Sequence, residues 1–250
     1  MANTYTALAP LYDRIMAHVE YDRWASYVNA IIAKYVEVRS PRLLELGGGT
    51  GVLGEKLKEN GVRYFGSDFS PAMCNVAAKR SLPFFAADAR LLPIKKSAKF
   101  DMVIFLYDAI NYLGTLDEYR TVFSQIYACL KPGGFFLFDV TTLENSLTNF
   151  SDYLDSEDLG DACFIRRSFF NPQDSLQYND FTIFHKENSG QEVYHKYTEL
   201  HIQKVFAINE LQDAIPPKLF DIVGKWDNYS FKRCSSRSER VHFLLRKKCR

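Results

Sequence analysis

The chain of 250 residues carries almost no net charge, since 31 Lys and Arg against 30 Asp and Glu leave a formal +1. A chain so balanced offers no overall attraction to nucleic acid, which argues against a nucleic-acid partner. Cysteine is sparse. Cys74, Cys129, Cys163, Cys234 and Cys249 are odd in number and scattered, with no close pair to suggest a zinc knuckle or a redox pair, so a reducing compartment is expected. No apolar run approaches the roughly 20 residues that span a bilayer. The first residues lack the basic patch, apolar stretch and small-residue cleavage site of a signal peptide. Together these absences predict a cytoplasmic protein with no membrane partner. Internal repeats are lacking too.

What is present is apolar and aromatic. Hydrophobic residues make up 47% and charged residues 24%, a composition suited to a globular protein. Twenty Phe and 15 Tyr supply flat surfaces, most of which must fill a core. The length suffices for one large α/β domain or a core with a smaller addition.

Trp24, Tyr27, Val28, Ile31, Ile32 and Tyr35 fall on one face of a helix, and Leu8, Leu11, Tyr12 and Ile15 suit a shorter one with Pro10 in its first turn. Arg42 to Leu46 reads as a strand ended by Gly47-Gly48-Gly49-Thr50-Gly51. Further strands are expected at 62–68, 84–88, 100–106 and 135–140, with helices from Val52, from Ser70-Pro71 and over 116–130. Five such alternations call for a parallel sheet covered on both faces. After Thr142 the pattern changes. Residues 164–170, 176–185 and 192–206 read as three strands joined by tight turns, at 171–174 and 187–190, and so antiparallel. Asn209 is expected to cap a helix through Ile215, with an edge hairpin at 220–226 and 241–245.

The glycine loop carries the strongest chemical signal. Glycines after a buried strand let the backbone approach a ligand at positive φ. Their spacing departs from G-x-G-x-x-G, because the sixth position from Gly47 is Val52. Glu45 would repel a phosphate there, so a cationic or zwitterionic ligand suits the loop. Asp68, at the end of the second strand, can accept both hydroxyls of a ribose. Asp88 can accept from an adenine amino group while the Ala89 amide donates to a ring nitrogen, with Met73 and Leu91 as apolar faces. Asp139 closes the fifth strand and is read as orienting an acceptor or anchoring a loop.

These segments resemble the class I S-adenosylmethionine-dependent methyltransferases. The likeness rests on Leu44 to Gly51, Gly66-Ser67-Asp68-Phe69-Ser70, Ala87-Asp88-Ala89, Phe100 to Ile104 and Leu130 to Leu137. It implies a Rossmann-like, doubly wound seven-stranded α/β sheet with an antiparallel edge hairpin and a small antiparallel β insertion. It further implies S-adenosyl-L-methionine as cofactor, with Glu45, Gly47 and Gly49 at its methionine part, Asp68 at the ribose and Asp88 with Ala89 at the adenine. Phe69, Met73 and Leu106 would line the same site. Tyr12-Asp13 and a helix bearing Trp24 resemble the small-molecule N-methyltransferases of the glycine and amino-sugar type. In that branch residues 1–38 would form a helical lid in which Tyr12 and Trp24 close over the cofactor, 39–145 and 206–250 the core, and 146–205 the inserted β unit.

For the acceptor, Tyr107, Asp108, Asn111 and Tyr112 stand at the mouth of the crevice, and the Asn/Asp-Pro-Pro-Tyr/Phe motif of adenine-methylating enzymes is missing there. Tyr107 and Asp108 are candidates for positioning or proton removal, and Asn111 and Tyr112 for substrate contacts. Tyr197, Glu199 and His201 alternate along a strand and are expected on one face. His201 is either a base, given a pKa near neutrality, or a half-exposed strand residue. His195, Glu199 and His201 lack the spacing of H-E-x-x-H, and no metal site is expected. The reading is a methyltransferase acting on a small amine or hydroxyl compound. An RNA-modifying enzyme, drawing on the basic stretch 225–250, a non-catalytic cofactor-binding protein and an NAD-dependent oxidoreductase are the alternatives. The oligomeric state is open.

Overall fold

A computed structural model describes residues 4–95, 97, 99–187 and 193–249. Expectations for residues 1–3 of the lid, for most of the turn at 187–190, for Glu192 and for Arg250 lie outside the described residues.

The first strand, β1 (Arg42–Leu46), leads through α3 (Val52–Glu59), β2 (Arg63–Asp68) and α4 (Pro71–Ala78) to β3 (Phe84–Ala86). The chain then returns to the other side of β1 with β4 (Phe100–Phe105), α5 (Leu116–Cys129) and β5 (Leu130–Thr141). Ahead of them lie α1 (Tyr12–Ile15) and α2 (Tyr21–Tyr35). The last elements are α7 (Ile208–Ala214), β10 (Phe220–Asp227) and β11 (Arg240–Lys247). The seven strands order as β10-β11-β5-β4-β1-β2-β3. The five strands from β1 to β5 are parallel, whereas β11 runs antiparallel to β5 and to β10. Strand order reverses between β1 and β4, and in such sheets the crevice opens beyond the carboxyl ends at that point.

Local signals place the elements. Every residue of β4 is buried, as its continuous apolar run requires of a central strand. Ser70 Oγ accepts from Met73 N with Pro71 in the first position of α4. Thr115 and Glu118 close a capping box at the start of α5. Helix α7 begins one residue before Asn209, and the Glu210 carboxylate takes the Ala207 N–H at 2.8 Å, so Asn209 is not the cap. One face of the sheet packs on α5 and α7 through Phe123, Phe136, Phe138 and Phe243, with the Phe138 and Phe243 rings stacked at 4.9 Å. The other packs on α2 and α3 through Trp24, Val28, Ile31 and Leu57. Each such buried side chain contributes roughly 1.5–3 kcal/mol.

Between β5 and α7 come α6 (Leu143–Asn149) and a separate antiparallel sheet of β6 (Asp152–Asp158), β7 (Ala162–Asn171), β8 (Leu176–Lys186) and β9 (Tyr194–Lys204), in that order. The sequence reading expects three strands here and misses β6. Its Asp152, Asp155, Glu157 and Asp158 are poor strand formers, and an edge strand left almost wholly exposed shows no alternation of apolar residues. The same charges guard the edge against pairing with another chain. No helix among the described residues is long and apolar enough to cross a membrane.

Asn111 joins the two sheets. It is fully buried, its Nδ2 donates to Lys204 O at 2.9 Å and its Oδ1 accepts from Thr141 N at 3.2 Å. Its amide is spent on backbone groups, which corrects its reading as a substrate contact. Asn111→Ala strands both partners and is expected to destabilise the protein by about 2–4 kcal/mol in urea denaturation; a loss below about 0.5 kcal/mol would contradict this role.

Candidate active site

A cavity of about 630 Å³ lies across the carboxyl ends of β1, β2 and β4, bounded by the segment before α2 and by the second sheet. Gly47 and Gly49 form its edge with φ of +62° and +56°. A Cβ on Gly47 would stand 2.8 Å from the Phe105 ring and 2.9 Å from Ala109 Cβ, so only glycine closes this turn.

The next strand end supplies a carboxylate to the same rim. Asp68 Oδ2 accepts from Gly49 N at 2.9 Å and Oδ1 from Ser70 N at 2.8 Å. Backbone N–H groups thus orient the carboxylate and leave it acceptor capacity for a hydroxyl. Burial raises the Asp68 pKa, and the N–H groups of Ser70, Gly49 and Phe69 oppose that rise. Phe69 is half-exposed beside it and Met73 is buried below, both bordering the cavity.

At the third strand end Asp88 and Ala89 also face the cavity. Asp88 is clamped by Arg90, with Nη2 to Oδ2 at 2.7 Å and Nε to Oδ1 at 3.0 Å, and these bonds hold its pKa down. Arg90 is braced in turn by Glu118. Leu91, expected against the base, is 76% exposed and does not line the cavity. The turn set by the Arg90 clamp carries it outward.

Glu45 lies under the loop rather than on the main cavity. It lines a small pocket of about 50 Å³ shared with Tyr12, Tyr21, Trp24 and Gly47 to Thr50, and it accepts from the Tyr64 hydroxyl at 2.5 Å. Burial pushes its carboxyl up to about 7, with the Tyr64 bond working against that rise.

Beyond β4, Leu106, Tyr107 and Asp108 complete the rim. Tyr107 and Asp108 have φ of +61° and +49°, conformations that cost bulky residues about 1–3 kcal/mol each. Asp139 Oδ2 holds them by accepting the Asp108 N–H at 3.0 Å. Arg240 binds both Asp108, at 2.7 Å, and Asp139.

Glycine backbone, a carboxylate set for a diol and a clamped acid next to a backbone amide make one continuous surface for a nucleoside with a cationic tail. Residues 43–134, which carry all of these groups, match the family model described as a methyltransferase domain. The chain is an S-adenosylmethionine-dependent methyltransferase. Along nearly its whole length it is similar to the putative methyltransferase YqeM of Bacillus subtilis, 27% identical over 248 residues, covering 97% of each chain. Its fold matches an S-adenosylmethionine-dependent methyltransferase from Clostridium acetobutylicum at a TM-score of 0.81 and 23% identity, covering 98% of this chain and 99% of that one. It also matches the S-adenosylmethionine-bound amino pentose methyltransferase CalS10 of Micromonospora echinaspora at 0.67 and 19% identity, covering 92% of each.

The remaining walls of the methyltransferase cavity come from outside that segment. Tyr12 lines it, with its ring 5.7 Å from that of Tyr5. Trp24 does not. Packing of α2 on the sheet buries the indole against Tyr107, Tyr229 and His242, which corrects its reading as a lid residue over the main cavity. His201 is buried on β9, with Nε2 3.1 Å from Glu199 Oε2 and Nδ1 3.1 Å from the Tyr112 hydroxyl, which is 2.7 Å from that of Tyr5. Glu199 does not line the cavity: it takes the N–H groups of Tyr5, Ala7 and Leu8 at 2.7, 2.5 and 3.2 Å and anchors the N-terminal segment. Tyr197 is 46% exposed and packs on His185, because β9 from Tyr194 to Thr198 extends beyond the elements that cover its other end. Neither is placed as a substrate contact.

Tyr5 and Arg240 were missed from sequence. Tyr5 sits in a segment without a motif. Arg240 left one trace, a charge opening a strand whose next five residues are buried.

Two outcomes follow for this methyltransferase. Asp68→Ala should weaken S-adenosylhomocysteine binding at least tenfold by calorimetry without loss of fold, and unchanged affinity would remove Asp68 from the site. Glu45 rises from 4.5 to about 7 on folding, so the folded chain holds a proton that the unfolded chain releases between those values. Its contribution is present below about pH 4.5 and lost as pH rises through about 7, a fall of about 3 kcal/mol. Urea denaturation across that range should show this slope, and Glu45→Gln should flatten it.

Proposed function

We propose that the enzyme methylates a small compound at an amine or hydroxyl, with residues 1–38 as a lid, 39–145 and 206–250 as the catalytic core and 146–205 as an inserted unit shaping the acceptor side. The observation that carries this reading is the cavity. Its volume falls within the range of small-molecule sites, and it is walled by the N-terminal segment and the second sheet instead of opening as a basic trough. The likeness of the fold to an amino pentose methyltransferase supports the same reading.

S-adenosylmethionine, when bound, supplies an activated methyl group, held by Gly47, Gly49, Asp68, Asp88 and Ala89. What remains for the chain is to position the nucleophile, exclude water and take one proton. Burial raises the pKa of both Tyr5 and Tyr112, so each hydroxyl keeps its proton at neutral pH. Burial works to raise the Glu199 carboxyl, but bonds from His201, Ala7, Leu8 and Tyr5 outweigh it and hold the group ionised. An ionised Glu199 fixes His201 with Nε2–H toward it and leaves Nδ1 to accept. As the acceptor's nitrogen or oxygen gains the methyl group, its proton passes to the Tyr5 oxygen, the Tyr5 proton to Tyr112, and the Tyr112 proton to His201 Nδ1. Tyr107 and Asp108, fixed by Arg240, frame the opposite side.

The test is methyl transfer to a panel of small amines and alcohols beside RNA and protein. His201→Gln and Tyr112→Phe should each lower kcat roughly a hundredfold while S-adenosylhomocysteine affinity stays within about twofold. Methylation of RNA or protein alone would sink the reading, and wild-type kcat in both variants would remove the proton chain.

A further inference from the structure

The second sheet places on the cavity a guanidinium with no carboxylate partner among the described residues. Arg166 on β7 donates from Nε to Ser168 Oγ at 3.0 Å and from Nη2 to Asn179 Oδ1 at 2.8 Å. Among the described residues no carboxylate oxygen lies within 4.0 Å of it, although Asp155 stands opposite on β6. Its contacts are instead aromatic faces, with Phe150, Tyr153 and Phe181 at 5.3, 5.6 and 5.7 Å from the guanidinium carbon. It also acts electrostatically on Tyr107 across the cavity, lowering that hydroxyl's pKa against the larger effect of burial. The other arginines on the cavity wall are paired, Arg90 with Asp88 and Glu118 and Arg240 with Asp108 and Asp139.

Two more groups point to a ligand at the same place. Ser146 Oγ and Gln177 Oε1 belong to residues only 1% and 3% exposed, border the cavity and have no hydrogen-bond partner among the described residues. The Gln177 amide is not free to turn over, because its Nε2 donates to the carbonyls of Phe169 and Phe150 at 3.0 and 3.4 Å. Phe150 links the cluster: its carbonyl meets Gln177, its ring meets Arg166, and its N–H closes the turn from Ser146 O. Leaving buried polar atoms unpaired costs stability that a bound partner would restore.

We propose that Arg166, Ser146 and Gln177 form an acceptor subsite for an oxyanion, a carboxylate or a phosphate, that stands next to a hydrogen-bond donor on the same molecule. The guanidinium and the Ser146 hydroxyl donate to the anion, and Gln177 Oε1 accepts from the neighbouring hydroxyl or ammonium. Phe181 lies between this subsite and the proton chain, 5.7 Å from the Arg166 guanidinium and 5.5 Å from the His201 ring, so one small acceptor spans both. This inference rests on the small-acceptor reading and narrows it to acidic compounds.

The test needs no turnover. Acetate and inorganic phosphate are titrated in parallel into the full chain saturated with S-adenosylhomocysteine, with binding read by calorimetry. At least one should bind saturably, and the tighter of the two names the anion. Arg166→Gln should weaken that binding about tenfold or more and Ser146→Ala by a smaller factor, with S-adenosylhomocysteine affinity unchanged as evidence that both variants fold. Anion binding equal in wild type and Arg166→Gln, or absent from wild type, overturns the proposal. Loss of S-adenosylhomocysteine affinity in a folded Arg166→Gln overturns it too, by giving Arg166 to the cofactor. Should the acceptor panel fail while anion binding depends on Arg166, the small-acceptor reading falls and the subsite stands.

Discussion

Arg240 is the interaction on which the site depends. Its guanidinium is buried between two carboxylates, Asp108 beyond β4 and Asp139 in β5, and lies against the rings of Trp24 and Tyr107. Burial alone would drive each acid to protonate, and Arg240 opposes that in both. Two charges of one sign can remain this close in a dry interior only with the opposite charge between them. In holding them, Arg240 fixes the positive-φ turn at Tyr107 and Asp108 on the rim of the cavity. One side chain from the last strand thus joins the β4 loop, the end of β5 and the packing of α2.

The second organising contact is Glu199. A single buried carboxylate collects the N–H groups of the N-terminal segment and one nitrogen of His201. The roof of the cavity and its polar wall are therefore held by the same group. Leu8 and Leu11 add apolar contact with Phe164 and Ile183 of the second sheet. The roof is thus tied to the second sheet as well as to the parallel core. The other tie runs to the glycine loop, where Asp13 accepts from Thr50 and pairs with Arg80 at 2.5 Å.

Legibility followed distance along the chain. Gly47, Gly49, Asp68, Asp88 and Ala89 could be placed on one rim because each sits at the end of a short strand, and parallel strands bring their carboxyl ends together. The second sheet was legible only in part. Alternation along β9 put Glu199 and His201 on one face, yet it extended that face to Tyr197, where nothing covers the strand. Asn111 carried the polarity of a binding residue, and only the contact between sheets showed its amide to be consumed. β6 escaped because an exposed, acidic edge strand has no apolar pattern.

The sequence by itself determined the parallel core, the order of its carboxylates and hence the kind of cofactor, since those depend on hydrophobic period and on residues within one strand-turn-helix unit. Tertiary structure alone decided which polar side chains face the cavity and which are spent on backbone. Tyr5 meets Tyr112, Tyr112 meets His201, Arg240 meets Asp108, and among the described residues Arg166 meets no acid, through pairings 89 to 132 residues apart or by their absence. The physical reason is that a side chain's chemistry is fixed by its type, whereas its partners, and so its charge and availability, are fixed by what the folded chain brings beside it.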